Sequence, residues 1–402
     1  MQVALQIPPR RSVHEARLAR FTLVLAACLV SSPAYAATEG PAGMSAQVGR
    51  SEPPLLPPPT DIVDGQKLYD KYCALCHGPA AKGYAADNAP SLVSSTFLAT
   101  ASNEFLRAAI GHGRPGTAMA AYDRALGGPL TAAQIDAIIA ELREGKGPAA
   151  HSPTLLPAGP IAGNAKHGKT VYFAECAKCH GTPQVRATAV HLANPILLDT
   201  ASDAFLRYAI VYGRPETPMI AFASKFDATT IDDLVAYVRS LALKPATPAA
   251  PTAAIGNPGS PRPPRSGPVV INPKGKAADF TLKDGRFISI DAVKEALALK
   301  RRIVIADARA PSDWLNLHIV GAISTPYYDP GALDDIPKDG TWIIAYCACP
   351  HHASGEVVDE LRRRGYHHTA VLDEGIFAWQ QKGYPVVAAP GLLPAPAPPP
   401  AH

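Results

Sequence analysis

Surplus charge is scarce in this chain: 38 Lys and Arg against 34 Asp and Glu leave a formal net charge of +4. Most of that surplus sits in the first 36 residues, where Arg10, Arg11, Arg17 and Arg20 face a single acid, Glu15, so the remainder carries about +1. That balance excludes a strongly basic nucleic-acid binder. Long apolar runs are missing too. FTLVLAACLV (21–30) is short for a membrane span, and no later segment reads as transmembrane. Cysteine and methionine are rare, seven and four in 402 residues, so the places where they do occur carry information. Proline, by contrast, is abundant. Its 42 residues fall mostly between and outside the periodic stretches, where they mark linkers.

The N-terminal arginines, the short apolar run and Ala34-Tyr35-Ala36 make a secretory leader with cleavage after Ala36. Two alternatives stay open. Leu25-Ala26-Ala27-Cys28 resembles a bacterial lipobox, which would lipidate Cys28, and an uncleaved N-terminus would act as an anchor. Each reading places the folded part outside the cytoplasm, in a bacterial periplasm, either free or membrane-associated.

Composition shifts divide the chain into a leader (1–36), a flexible stretch rich in Ala, Pro and Ser (37–60), a first module (61–145), a second (161–242), a Pro-rich linker (243–268), a third module (270–386) and a low-complexity tail (387–402). The first two modules are copies of one another. YDKYCALCHG is echoed by YFAECAKCHG at an offset of 103 residues, and TASNEFLRAAIGHGRPGTAM from Thr100 by TASDAFLRYAIVYGRPETPM from Thr200. Each copy reads as mainly helical. Helices are expected over roughly 63–75 and 166–178, from Ser102 and Ser202, and after Thr131 and Thr230, with Thr131 and Gln134 as a capping box and Thr230 and Asp233 as its counterpart.

Cys73-x-x-Cys76-His77 and Cys176-x-x-Cys179-His180 are the attachment pattern of c-type haem. Two thiols about one helical turn apart can add to the two vinyl groups of one haem, and the next residue then offers its imidazole to the iron. A thioredoxin-like pair would not demand His in both copies, and a zinc site would need more than two cysteines per module. Counting methionines supplies the second axial ligand: Met119 and Met219 are the only two in the folded modules, at matching positions, and a thioether suits ferrous iron and raises its potential. Core packing is the competing role for a methionine. His112 is a local rival in the first copy, but its counterpart is Tyr212; His167 and His191 read as surface residues.

On CALCHG, CAKCHG, GRPGTAM, GRPETPM and the final amphipathic helices, both modules resemble the class I cytochrome c family. The resemblance implies two covalently bound haems c with iron held by His77 and Met119 and by His180 and Met219. It also implies support of the proximal histidines by Pro90 and, less well matched, Pro195, with Gly78 and Gly181 giving room behind them.

The third module alternates short apolar runs, IVIADAR, WIIAYCA and TAVLDEG, with helical stretches, one starting near Ser312 and one closing at Gly365. That pattern predicts an α/β unit with a small, mostly parallel sheet. On IADAR (305–309, with Asp307 and Arg309), HIVGAISTP (318–326), AYCACPHHAS (345–354) and LDEGIFAWQQKGYPV (372–386) it resembles the rhodanese family. The resemblance places Cys347 as a persulfide-forming nucleophile, with Asp307 and Arg309 among the residues of its reactive site. The loop departs from the family in lacking its glycine and nearby arginine. His351 and His352 stand where that cationic clamp would be, and Cys349 is an alternative nucleophile, resolving thiol or disulfide partner.

The fold class expected is therefore multidomain: two mainly α cytochrome c domains plus one α/β rhodanese-like domain. Two functions remain open. One is a dihaem electron carrier whose third domain docks to redox or respiratory-chain partners. The other is a sulfur-compound oxidoreductase or sulfurtransferase in which a small sulfane-sulfur donor reacts at Cys347.

Overall fold

The computed structural model describes residues 63–144, 160–242, 268–348 and 351–388. The leader, Cys28, Cys349 and nearly all of the Pro-rich linker lie outside them. In the first module, α1 (Gly65–Tyr72), α2 (Ala74–His77), α3 (Ser95–Leu98), α4 (Asn103–His112) and α5 (Ala132–Arg143) follow one another. The second module repeats the order with α6 (Ala165–Glu175), α7 (Ala177–His180), α8 (Pro195–Thr200), α9 (Asp203–Tyr212) and α10 (Ala228–Ser240). The expected long first helices are each broken at the first cysteine, so that a separate turn carries the second cysteine and the histidine.

Local chemistry accounts for most helix starts. Ser102 and Ser202 cap α4 and α9, each side chain accepting from the amide three residues on. Thr131 and Gln134 form the expected capping box of α5. The counterpart at Thr230 is a correction: α10 starts earlier, capped by Asp227, whose carboxylate accepts from Thr230 N at 2.8 Å. Asp233 is used elsewhere, accepting from Asn164 N and bonding His167.

The repeat extends into the packing. In each copy the first helix crosses the last, and the crossing is made at Gly65 and Gly168, which share the 103-residue offset of the cysteines. A Cβ on Gly65 would lie 2.2 Å from Ala137 O, and one on Gly168 1.9 Å from Asp233 O, so only glycine admits this approach. The two modules also share an apolar core, in which Tyr69, Phe105, Ile138 and Leu142 of the first are continuous with Leu197, Phe205, Leu206 and Val238 of the second.

In the third module a five-stranded parallel sheet is built from β1 (Phe287–Ile288), β2 (Ile303–Asp307), β4 (Ile323–Ser324), β5 (Trp342–Tyr346) and β6 (Thr369–Leu372), in the order β1-β6-β5-β2-β4. Helices α11 (Ile290–Ala298), α12 (Pro311–Asn316), α13 (His352–Arg363) and α14 (Gly375–Gln381) connect or cover it, and β3 (Leu317–Ile319) pairs antiparallel with β7 (Val386–Ala388). β2 is buried along its whole length, as expected of a strand inside a parallel sheet with both faces covered.

The described residues belong to one compact unit, and the third module packs against the first. Ser312 Oγ donates to Ala121 O at 2.6 Å, and Tyr327 OH to Tyr72 O at 3.0 Å. The Tyr72 ring meets Tyr328 edge-on at 4.7 Å.

Candidate haem sites and the Cys347 loop

Each CxxCH turn is held from both sides. Cys76 N and His77 N bond back to Cys73 O, and Cys179 N and His180 N to Cys176 O, which stacks the two thiols of each pair about one turn apart. Tyr69 OH donates to Gly78 O at 2.7 Å and Tyr172 OH to Gly181 O at 2.8 Å, anchoring the residue after each histidine. Both glycines take positive φ, +77° and +82°. A Cβ on Gly78 would make only ordinary contacts, 3.9 Å from the Ala85 Cβ, so backbone conformation rather than room demands glycine there. At Gly181 a Cβ would also strike Val185 O.

His77 Nδ1 lies 2.9 Å from Pro90 O, and His180 Nδ1 2.7 Å from Val190 O. A carbonyl can only accept, so each Nδ1 carries the proton and each Nε2 keeps its lone pair for a metal. Pro90 thus supports its histidine as expected. Pro195 is a correction: it opens α8 instead. The acceptor comes ten residues after the histidine in the second copy and thirteen after it in the first. That shortening by three accounts for the drop in repeat offset from 103 to 100. Burial holds both imidazoles below the usual histidine range, against the raising effect of the carbonyl bonds, and so favours the neutral form that ligates. Burial also pushes the Cys73 thiol up to about 12 and the Cys176 thiol to about 11. Such thiols lack the lowered pKa of a thioredoxin-like redox pair.

The methionine loops match closely. Arg114 N donates to Met119 O and Arg214 N to Met219 O, both at 2.8 Å. Thr117 and Thr217 hydroxyls accept from the two methionine amides. His112 is exposed at the end of α4 and Tyr212 is also exposed. His167 bonds Asp233, and His191 bonds Thr182 O. Among the described residues no three His, Cys, Asp or Glu side chains converge on a metal position; one imidazole and one thioether per module would not form such a group.

Each methionine loop is met by the other module across the seam. Thr96 Oγ1 donates to Gly213 O at 2.9 Å, and Asn194 Nδ2 to Pro115 O at 3.0 Å. Arg186 pairs with Asp87 at 2.9 Å. Sequence patterns do not announce these contacts, because main-chain carbonyls accept most of them.

Residues at the site fit a haem on one further observation: Arg214 Nη1 is buried without a partner. A desolvated guanidinium nitrogen calls for an anion, and haem carries carboxylates.

In the third module Cys347 follows β5 and is 1% exposed, its Sγ 3.3 Å from Ser354 Oγ in the first turn of α13. Gly375, at φ +69°, passes so close that a Cβ would lie 2.8 Å from Cys347 O. Asp307 and Arg309, expected at the reactive site, form a sealed pair. The guanidinium donates to both Asp307 oxygens at 2.9 and 2.7 Å and to Leu317 O, and Tyr346 OH donates to Asp307 at 2.6 Å. The pair ties the end of β2 to β3, and Arg309 Nη1 lies 3.8 Å from Asp313. His351 is likewise engaged, with Nε2 2.7 Å from Asp373 Oδ1 and its ring on Phe287. His352 is exposed.

Comparison with known proteins matches this division. The family described as cytochrome C oxidase, cbb3-type, subunit III matches residues 60–140 and again 163–238, and the rhodanese-like domain family matches 289–382. A cbb3-type cytochrome c oxidase subunit CcoP from an Azospirillum species is 30% identical over 198 residues, covering 45% of this chain and 62% of that subunit. The chain thus spans less than two thirds of the length of that relative. A sulfurtransferase from Allochromatium vinosum is 29% identical over 105 residues, 26% of this chain and 96% of that protein. A solved rhodanese-like domain from an Anabaena species is 26% identical, covering 29% of this chain and 89% of that one, with a TM-score of 0.25. The chain is a multidomain protein in which a helical region like cbb3-type oxidase subunit III, matched twice over, precedes an α/β rhodanese-like domain.

Proposed function

We propose that this chain is a dihaem c-type cytochrome that transfers single electrons outside the cytoplasm to or from other redox proteins. The observation that carries the reading is the matched pair of sites: in each module a CxxCH histidine is fixed by Nδ1 on a carbonyl, and a methionine loop closes in the same way in both. When bound, each haem would supply a one-electron couple at its iron. His77 and His180 would present Nε2, and Met119 and Met219 their sulfurs. Held by these residues, neither iron would have a position left for a substrate. An export signal agrees with the compartment in which such proteins work. No helix among the described residues is long and apolar enough to cross a membrane.

Met219→His is expected to lower the midpoint potential of one haem by a substantial part of the ~0.8 V range that axial ligation spans, and to leave the other unchanged. Met119→His should do the same for the other haem. Potentiometric titration followed in the visible spectrum reads both. Two unchanged potentials would remove the methionines from the ligand set.

A second reading, sulfur handling at Cys347, is favoured by one contact. Leu75 of the first CxxCH turn and Ala118, the neighbour of Met119, pack against the apolar cluster that contains Cys347. In this reading the Cys347 thiolate attacks the outer sulfur of a thiosulfate-type donor; the donor's S–S bond breaks, sulfite leaves, and Cys347 becomes a persulfide. That transfer releases no electrons, so coupling to the haems would require an oxidative joining instead: the Cys347 thiolate and the outer sulfur of thiosulfate would form Cys–S–S–SO3⁻ and give up two electrons, one to each ferric haem, so that thiosulfate reduces the oxidised holoprotein anaerobically and Cys347→Ser abolishes this. A protein that ascorbate reduces and thiosulfate does not would contradict the coupling and leave the electron-carrier reading.

A further inference from the structure

Two arginines at the seam between the cytochrome modules have no anion to face. Arg114 and Arg214 occupy the same place in the repeat, each following a glycine of positive φ and opening the loop that ends at the methionine. Both guanidiniums rest on one shared aromatic cluster. Arg114 lies over Phe105 at 5.5 Å, while Arg214 lies over Phe205 at 5.0 Å and over Phe97 of the other module at 5.8 Å. The three rings touch one another, Phe105 and Phe205 at 4.8 Å. Among the described residues neither arginine has a carboxylate partner. The one side-chain hydrogen bond of Arg114 goes to Gly113 O at 3.3 Å, and Arg214 Nη1 is buried with none.

Four other arginines of these modules are paired with carboxylates, Arg107 with Asp136, Arg186 with Asp87, Arg207 with Asp232 and Arg239 with Asp203, and Arg143 donates to Asn103, Leu98 O and Ala101 O instead. Ring faces offset only part of the cost of removing a cation from water. Two such cations on one apolar cluster are incomplete without anions, and planar guanidinium favours carboxylate.

We propose that Arg114 and Arg214 bind the propionate carboxylates of the haems, each arginine serving the haem of its own module. The assignment rests on the dihaem reading. It makes the two arginines binding residues of the cofactor and makes the module seam the place where cofactor charge is neutralised. It also sets a direction for redox behaviour. A carboxylate held by arginine stays ionised, so the potential of its haem does not follow pH. Without the arginine, the carboxylate takes up a proton more readily when the iron is reduced. The potential then drops as pH rises. Loss of a nearby cation also stabilises the ferric form and lowers the potential at every pH above that titration.

The experiment uses the full-length holoprotein, with haem content set by intact mass and midpoint potentials measured from mildly acid to mildly alkaline pH. Natural protein is expected to give two flat profiles. Arg114→Gln and Arg214→Gln, each still carrying two haems, are expected to give one lowered, pH-dependent profile beside one unchanged, and Arg214→Lys to stay close to the natural protein. Flat, unshifted profiles in haem-replete Gln variants would overturn the assignment and leave the arginines as seam packing. So would pH-dependent profiles for both haems of the natural protein, a result that stands even if the variants do not fold. A natural chain without covalent haem overturns the dihaem reading itself, and the arginine assignment with it.

Discussion

On the dihaem reading, a chain in which Cys176 and Cys179 are both replaced by alanine is expected to carry one covalent haem in place of two. Its intact mass should fall by one haem, beyond the side-chain change, and its haem absorbance by about half. The reason is geometric. Among the described residues the turn from Cys176 to His180 hydrogen-bonds to itself, to Tyr172 and to the loop ending at Val190, all within the second module, so the first site keeps its own CxxCH turn. The same pair of changes at Cys73 and Cys76 should remove the other haem. That variant should also disturb the third module, because Leu75 packs there and Tyr72 O receives both Tyr122 OH and Tyr327 OH. Equal haem content in the natural and doubly substituted chains would mean that the cysteines are not the attachment points.

The largest expected loss of stability lies in the third module. Asp307→Ala leaves Arg309, 9% exposed, without the carboxylate that accepts from its backbone amide and from two side-chain nitrogens. It also leaves the Tyr346 hydroxyl without its acceptor. Removing one member of a buried ion pair costs about 3–5 kcal/mol, because the remaining charge stays desolvated. The readout is specific. All three tryptophans, Trp314, Trp342 and Trp379, belong to this module, so denaturant unfolding followed by their fluorescence reports the rhodanese-like domain and not the helical modules. A midpoint unchanged in Asp307→Ala would show that the pair is not structural and would return Asp307 and Arg309 to the reactive site.

Local pattern announced much of this protein. The cysteine-histidine turns, the methionine positions, the serine caps and the Thr131–Gln134 box are all set by residues a few places apart, and the buried run at 303–307 marks a central parallel strand before any tertiary contact is considered. What the pattern hid is non-local or carried by main chain. Val190 supports His180 through a carbonyl that any residue could supply. Nothing in the text of the second copy distinguishes it from Pro195, which matched a motif and does something else. Thr230 reads as a cap, yet Asp227 takes the role because α10 begins three residues earlier. The commitment of His351 to Asp373 spans 22 residues, and the packing of Ser312 on Ala121 spans 191. A proline-rich linker by itself leaves the third module free to sit anywhere within its reach, whereas the contacts at Tyr72, Ala118 and Ala121 seat it against the first.

That seating gives the sulfur-linked reading its physical basis, since Leu75 of the first CxxCH turn and Ala118 beside Met119 are residues of the helical modules that pack on the Cys347 cluster. The electron-carrier reading does not depend on it. Both readings rest on the same claim, that each CxxCH turn holds a haem by two thioether bonds.

The direct test is intact-mass and peptide mass spectrometry of the exported natural chain, with haem counted in the same sample. The account predicts two haems per chain, one on the peptide containing Cys73 and Cys76 and one on the peptide containing Cys176 and Cys179. Free thiols or a disulfide at either pair, in protein matured where c-type haem is attached, would contradict it.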